Sequence, residues 1–262
     1  MLLSAAAPSG ADLRLAGGLL VLMAITIVVL TIAQVAHRRA VVTASLRATV
    51  QLAVVAAALR GVFAAPVAVV AVIAIMFGVA TWTAARRLRE HPGAYRAVLL
   101  SCAAGSAVPI GIIVGLPVLH RDVRTLVAVS GIVIGGGMTA ATLTGRRLAE
   151  SLRRRRDEVE GWLAIGATPR QAVSELARDA VYDALIPPLD QTRTVGLVTL
   201  PGTFVGALIG GAGAAGAARF QLTVLVALLC AESITATALA WLLGAPATLP
   251  AVVVGPGLLP GS

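Results

Sequence analysis

The sequence predicts an all-α integral membrane protein of about seven transmembrane helices. Three observations carry this. Of 262 residues 58% are hydrophobic and only 13% charged, and the mean hydropathy of +0.92 is more apolar surface than one soluble core can hide. Apolar stretches of roughly 20 residues, enough to cross a hydrocarbon core about 30 Å thick, recur along the chain. The charged residues gather between those stretches.

The spans fall at about 15–36, 46–63, 64–85, 97–118, 123–145, 194–212 and 222–243. Segment 1–14 precedes them without the basic start of a signal peptide, so the apolar run after it reads as a first span. Arg60 and Pro66 mark a tight connection between the second and third, which read as a hairpin. Pro201-Gly202 interrupts the sixth. Between the fifth and sixth lies a charged soluble segment, 146–193. The tail, 244–262, holds Pro246, Pro250, Pro256 and Pro260 and is too interrupted for a regular helix.

The net charge of +9 could suggest a nucleic-acid partner, but aromatic residues are 3% and the arginines sit between spans. Membrane topology accounts for them, because positively charged loops stay on the cytoplasmic side. With the N-terminus outside, 16 arginines are cytoplasmic and five, Arg14, Arg60, Arg121, Arg124 and Arg219, are not. The C-terminus is then expected inside. Basic residues that are all Arg, with abundant Ala and Gly, suit a GC-rich bacterial genome and hence a bacterial cell membrane. Cys102 and Cys230 lie in apolar stretches and read as packing residues. His37, His91 and His120 fall at span ends on two different sides, which shows no metal cluster.

Within 146–193 the run Glu160-Gly161-Trp162-Leu163-Ala164-Ile165-Gly166-Ala167-Thr168-Pro169-Arg170-Gln171 reads as helix, sharp turn, helix. Gly166 can leave right-handed space, Thr168 can cap the next helix, Pro169 suits its first turn and Gln171 completes a capping box. The following helix, 169–185, sets Ala172, Leu176, Ala180 and Leu185 on one side, as a helix against a membrane or partner would. On spacing alone, an ordinary helical hairpin connecting two spans is the better-served reading.

Glu160 followed six residues later by Gly166, in a cytoplasmic loop of a polytopic chain, resembles the EAA loop by which permeases of ATP-binding-cassette (ABC) transporters dock their ATPase. This chain has Glu-Gly-Trp where that loop is named for Glu-Ala-Ala. The run from Ala184-Leu185-Ile186-Pro187-Pro188 through Leu200-Pro201-Gly202 is similar to the signature of the Fet-type iron-export permeases and their plant relatives linked to aluminium tolerance. Arg47 to Leu52, Gly131 to Thr142 and Phe220-Gln221 extend the resemblance over about 40–243. One departure is that Gly135-Gly136-Gly137 stands before Met138-Thr139 where the family tends to Gly-Asn, removing an amide able to line a path.

The resemblance implies a permease subunit that pairs with a second copy and with a cytoplasmic ABC ATPase through Glu160, Gly166, Thr168, Pro169 and Arg170. Iron or another metal is the implied cargo, and the plant relatives also bring sugar nucleotides into view. The sequence holds no lysine and so cannot form a G-x-x-x-x-G-K-[ST] phosphate cradle. ATP and Mg are expected on the partner subunit, with no cofactor in this chain.

Five residues are candidates for a transport path. Glu232 sits in the last span, where an ionised carboxylate is expensive and serves either a path or a helix contact. Gln51 shares a helix face with Arg47, which can also snorkel to the interface. Thr139, near Thr142 and the triple glycine, lines a path or permits close packing. Pro201 and Gly202 free backbone groups at membrane depth. The rivals are an ion-coupled carrier using Glu232 and a membrane-embedded enzyme, for which no nucleophile-base set is visible.

Overall fold

A computed structural model describes residues 10–35, 38–62, 66–116, 119 and 122–245. His37, His120 and Arg121 lie outside the described residues, as do 1–9 and the tail prolines. Among the described residues the chain is helical, with one isolated bridge between Val195 and Thr199. The helices are α1 (Gly10–Ile32), α2 (Arg38–Val62), α3 (Pro66–Arg87), α4 (Ala94–Gly115), α5 (Val123–Arg154), α6 (Arg156–Ala164), α7 (Pro169–Thr194), α8 (Gly202–Ile209) and α9 (Ala214–Leu243). Six of them, α1 to α5 and α9, are long and apolar enough to cross a membrane.

The chain forms two units, 1–65 and 66–262. In the first, α1 and α2 pack together. Thr26 and Thr31 donate their hydroxyls to the carbonyls of Leu22 and Ile27, so apolar helices carry them without an orphaned polar group. Leu19, Leu22, Val28, Leu52 and Val54 are all exposed, as side chains that face lipid are.

In the second unit α5 and α9 lie at the centre, packed on α4 and α7, with α3 on α5 and α8 on α9. Ala84, Leu88, Val98, Leu148, Leu152, Val173, Leu176 and Leu239 form one core toward the arginine-rich end. Val129, Val133, Val224 and Ala231 form another. At the arginine-rich end, Arg153 donates to Glu90 at 3.1 Å, and buried His91 donates from Nε2 to the Gly145 carbonyl at 3.2 Å. The two arginine-rich segments that topology places on one side therefore meet.

The expected sixth span, 194–212, is not one helix. α7 runs through Pro187-Pro188 to Thr194, nine residues past the expected end of the amphipathic helix. It stops at a tight loop where Gly196 takes φ +81° and the Thr194 carbonyl accepts from the Leu197 and Val198 amides at 3.2 and 2.9 Å. Pro201 then caps an eight-residue helix, α8. Val181 of α7 borders a groove with Thr237, Thr203 of α8 hydrogen-bonds Gln221, and Gly206 and Gly210 border a cleft with Gly216. The α7–α8 segment thus runs antiparallel to α9 from Thr237 back to Gly216, about 30 Å at helical rise. That length matches a hydrocarbon core. The expected sixth span is thus divided between two helices, and Pro201 and the positive-φ Gly196 are why no single helix fills it.

Candidate coupling elbow and intramembrane polar residues

The helix-turn-helix forms between α6 and α7. Gly166 has φ +92°, its amide donates to the Leu163 carbonyl and that of Ala167 to the Trp162 carbonyl, each at 3.0 Å. These two bonds close α6 with a Schellman motif. Two residues on, Thr168 caps α7: the Gln171 amide donates to Thr168 Oγ1 at 3.3 Å, and the Thr168 amide donates to Gln171 Oε1 at 2.9 Å. Pro169 occupies the first turn. The corner read from Gly166, Thr168, Pro169 and Gln171 is therefore built by those residues.

The buried stripe on α7 is Ala172, Val173, Leu176, Ala180, Ala184 and Pro188. Leu185, expected on it, is only half-buried, because the stripe follows the i, i+4 ridge. Val159 of α6, Val173 and Leu176 share the core with Leu148, Leu152 and Leu239. The elbow is thereby packed against the ends of α5 and α9.

The structure gives two of the expected docking residues internal partners. Glu160 accepts from Arg156 at 2.6 Å, one turn away and half exposed. Arg170 donates to the Trp241 carbonyl at 3.0 Å and lays its guanidinium 4.4 Å from the Trp241 ring centroid, fastening α7 to α9. Arg155 was not singled out from sequence. It holds Glu158 at 2.7 Å, Glu175 at 3.3 Å and Asp179 at 3.8 Å, joining the α5–α6 junction to α7. The Glu158 carboxylate, then Glu175, raise its pKa above the usual arginine value. Its signal in the sequence was Glu158 three residues on; the α7 carboxylates are remote in sequence and had none.

Beyond the corner lies a cleft of about 550 Å³ lined by Trp162, Ile165, Gln171, Glu175 and Arg178. Trp162 is 50% and Ile165 76% exposed. Two large apolar side chains ringed by charge at the tip of an ordered corner are what a protein partner needs to grip.

Of the path residues, Gln51 belongs to the first unit and the others to the second. Gln51 lies exposed on α2 in the first unit. Thr139 is exposed on α5 with its hydroxyl turned back to the Gly135 carbonyl at 3.1 Å. Pro201 and Gly202 form the start of α8. Glu232 is buried on α9 against Gly136, which sits where a Cβ would come within 2.9 Å of Glu232 Oε1.

A second cleft, about 1130 Å³, opens at the opposite end of the second unit between α5, α8 and α9. Asp122, Arg124, Thr203 and Arg219 border it.

The six long apolar helices and their exposed apolar faces define a polytopic, all-helical membrane protein. The chain belongs to the family described as "Uncharacterised protein family (UPF0014)", whose model matches residues 14–246. It is 36% identical over 200 residues to the UPF0014 membrane protein STAR2 of Oryza sativa subsp. japonica, covering 74% of this chain and 70% of that one. It is 35% identical over 169 residues to Protein ALUMINUM SENSITIVE 3 of Arabidopsis thaliana, covering 63% and 62%. With the Probable iron export permease protein FetB of Escherichia coli (strain K12) it shares 27% identity over 191 residues, covering 72% and 74%. No solved structure matches. The resemblance read from the run around Pro187-Pro188 and Leu200-Pro201-Gly202 is borne out at the level of the family.

Proposed function

We propose that this chain is the membrane-spanning permease subunit of an ABC transporter and that it exports iron or another metal. The observation that carries the reading is the α6–α7 elbow: its corner is fixed by a Schellman motif and a capping box, its buried face shares a core with the spans, and Trp162 and Ile165 stand exposed at its tip. An external motor that pushes on such an element moves the ends of α5 and α9. ATP and Mg belong to the partner ATPase, and a second copy of this chain completes the transporter. The metal cargo rests on the similarity to the probable iron export permease.

Co-purification with a soluble ABC ATPase from the same cells tests the docking role. Ile165→Asp places a charge on the exposed apolar tip, and Gly166→Val opposes a positive φ at a cost of about 1 to 3 kcal/mol. Both variants are expected to remain in the membrane and to lose most of the recovered ATPase or of its transport-coupled hydrolysis. Glu160→Ala is expected to act more weakly, since Glu160 spends its charge on Arg156. Undiminished ATPase recovery and coupled metal export in the first two variants rules the elbow out as the docking surface.

A further inference from the structure

Where α4, α5 and α9 meet, three buried polar side chains converge on a pair of glycines. Ser106 and Glu232 are each 6% exposed and Thr235 is fully buried. A Cβ on Gly137 would stand 3.3 Å from Thr235 Oγ1 and 3.9 Å from Ser106 Oγ, and one on Gly136 would stand 2.9 Å from Glu232 Oε1. On the facing helix, a Cβ on Gly105 would meet Thr235 Oγ1 and come within 2.6 Å of the Ala231 carbonyl. Replacing side chains by hydrogens on α4 and α5 is what lets the oxygens of Ser106, Glu232 and Thr235 crowd together.

Ser106 Oγ, Thr235 Oγ1 and Glu232 Oε2 each lack a hydrogen-bond partner. Helical threonines have an easy alternative, which Thr81 and Thr142 take by donating to the carbonyls of Phe77 and Met138, each at 2.8 Å. Thr235 does not turn back. Orphaned buried oxygens on two helices, aimed at one junction, mark an occupant that satisfies them together.

Charge decides what it is. Glu232 lies in the second half of α9, at membrane depth, where an uncompensated carboxylate is expensive. On the helices packed around it, the nearest ionisable groups along the chain are Cys102 on α4, Cys230 on α9 and Arg146 on α5. Arg146 is exposed and ten residues from Gly136. On α7, Asp183 pairs with Arg147 and Asp190 with Arg193, all of them exposed. One carboxylate among hydroxyls and a carbonyl balances one positive charge; a divalent ion would leave a net charge in the same place.

We infer that Glu232, Ser106 and Thr235 form a binding site for one monovalent cation, a proton or a sodium ion, at the α4–α5–α9 junction. The site stands apart from the elbow and from the metal cargo. It makes the packing of α9 on α5 responsive to an ion other than the one exported.

The full-length chain in lipid nanodiscs tests it with two arms. Infrared difference spectra between wild type and Glu232→Gln read the proton: the expected result is a carboxylic-acid C=O band at neutral pH that Glu232→Gln removes and Thr235→Val shifts. Thermal unfolding in sodium against choline chloride reads the metal: the expected result is a Tm several degrees higher in sodium for wild type, lost in Glu232→Gln and reduced in Thr235→Val and Ser106→Ala. Either result supports the site and tells the two occupants apart. Absence of both the acid band and the sodium effect overturns it. So does a Glu232-dependent rise in Tm with manganese(II) alone, which assigns the residue to a divalent ion. ATPase co-purification, read separately, is unaffected by any of these outcomes.

Discussion

At the scale of residues, burial and partner geometry separate functional groups that look alike in sequence. His91 was one of three span-end histidines with no assigned role, and the structure buries it in the α3–α4 connection as donor to the Gly145 carbonyl. Burial, outweighing the Gly145 hydrogen bond and the nearby Glu90, lowers its pKa from the ordinary 6.5. The unfolded chain therefore binds more protons than the folded one between the lowered value and 6.5, so stability is complete above pH 6.5 and declines as pH falls through that window. Wild type is expected to lose Tm between pH 7.5 and 5.5 relative to His91→Gln, whose amide can donate to the same carbonyl without titrating. Equal pH slopes for the two proteins would show that His91 is not the titrating clasp. Gly166, Thr168, Pro169 and Gln171 were legible because turn chemistry is local. Arg155 with Glu175 and Asp179, and Arg170 with Trp241, were not, because those pairs are made by tertiary packing across 20 to 71 residues.

At the scale of elements, hydropathy read the long helices well, since α1 to α5 and α9 each carry an apolar stretch of spanning length. It failed at the sixth span, where 194–212 is apolar yet holds Gly196, Pro201 and a run of further glycines. Composition counts apolar residues and is blind to the helix break, while α7 escapes notice because Asp183, Asp190 and Arg193 lower its mean hydropathy. Both pieces lie along α9, as one discontinuous crossing would, and the Thr203–Gln221 hydrogen bond ties α8 to it. In a background lacking Cys102 and Cys230, Thr203→Cys with Gln221→Cys is expected to cross-link in native membranes, whereas Leu197→Cys, 91% exposed in the break, with Gln221→Cys is not. Failure of the first pair would mean that α8 does not lie along α9 in the bilayer.

At the scale of the whole molecule, the topology turns on whether α7 and α8 together cross the membrane. Six continuous spans alone would return the chain to the side on which it started, whereas a crossing by α7 and α8 together would make the number odd. The arginine distribution bears on the same question independently, since the topology expected from sequence puts 16 on the side of the elbow and five on the other. In the second unit that division is spatial as well: Glu90 with Arg153, and Arg170 with Trp241, join at one end, while Asp122, Arg124 and Arg219 border a cleft at the other. If the elbow docks a cytoplasmic ATPase, as proposed, the elbow end faces the cytoplasm. On that reading the residues before α1 are expected outside and those after α9 inside. Reporters that are active on one side only, fused ahead of residue 10 and after residue 245, are expected to give opposite signals, with the trailing one cytoplasmic. A third reporter placed in the connection after α8, at Gly211, is expected to read outside. Matching signals from the two ends, with Gly211 reading inside, would mean that α7 and α8 re-enter and leave the same face, and the discontinuous crossing would have to be abandoned.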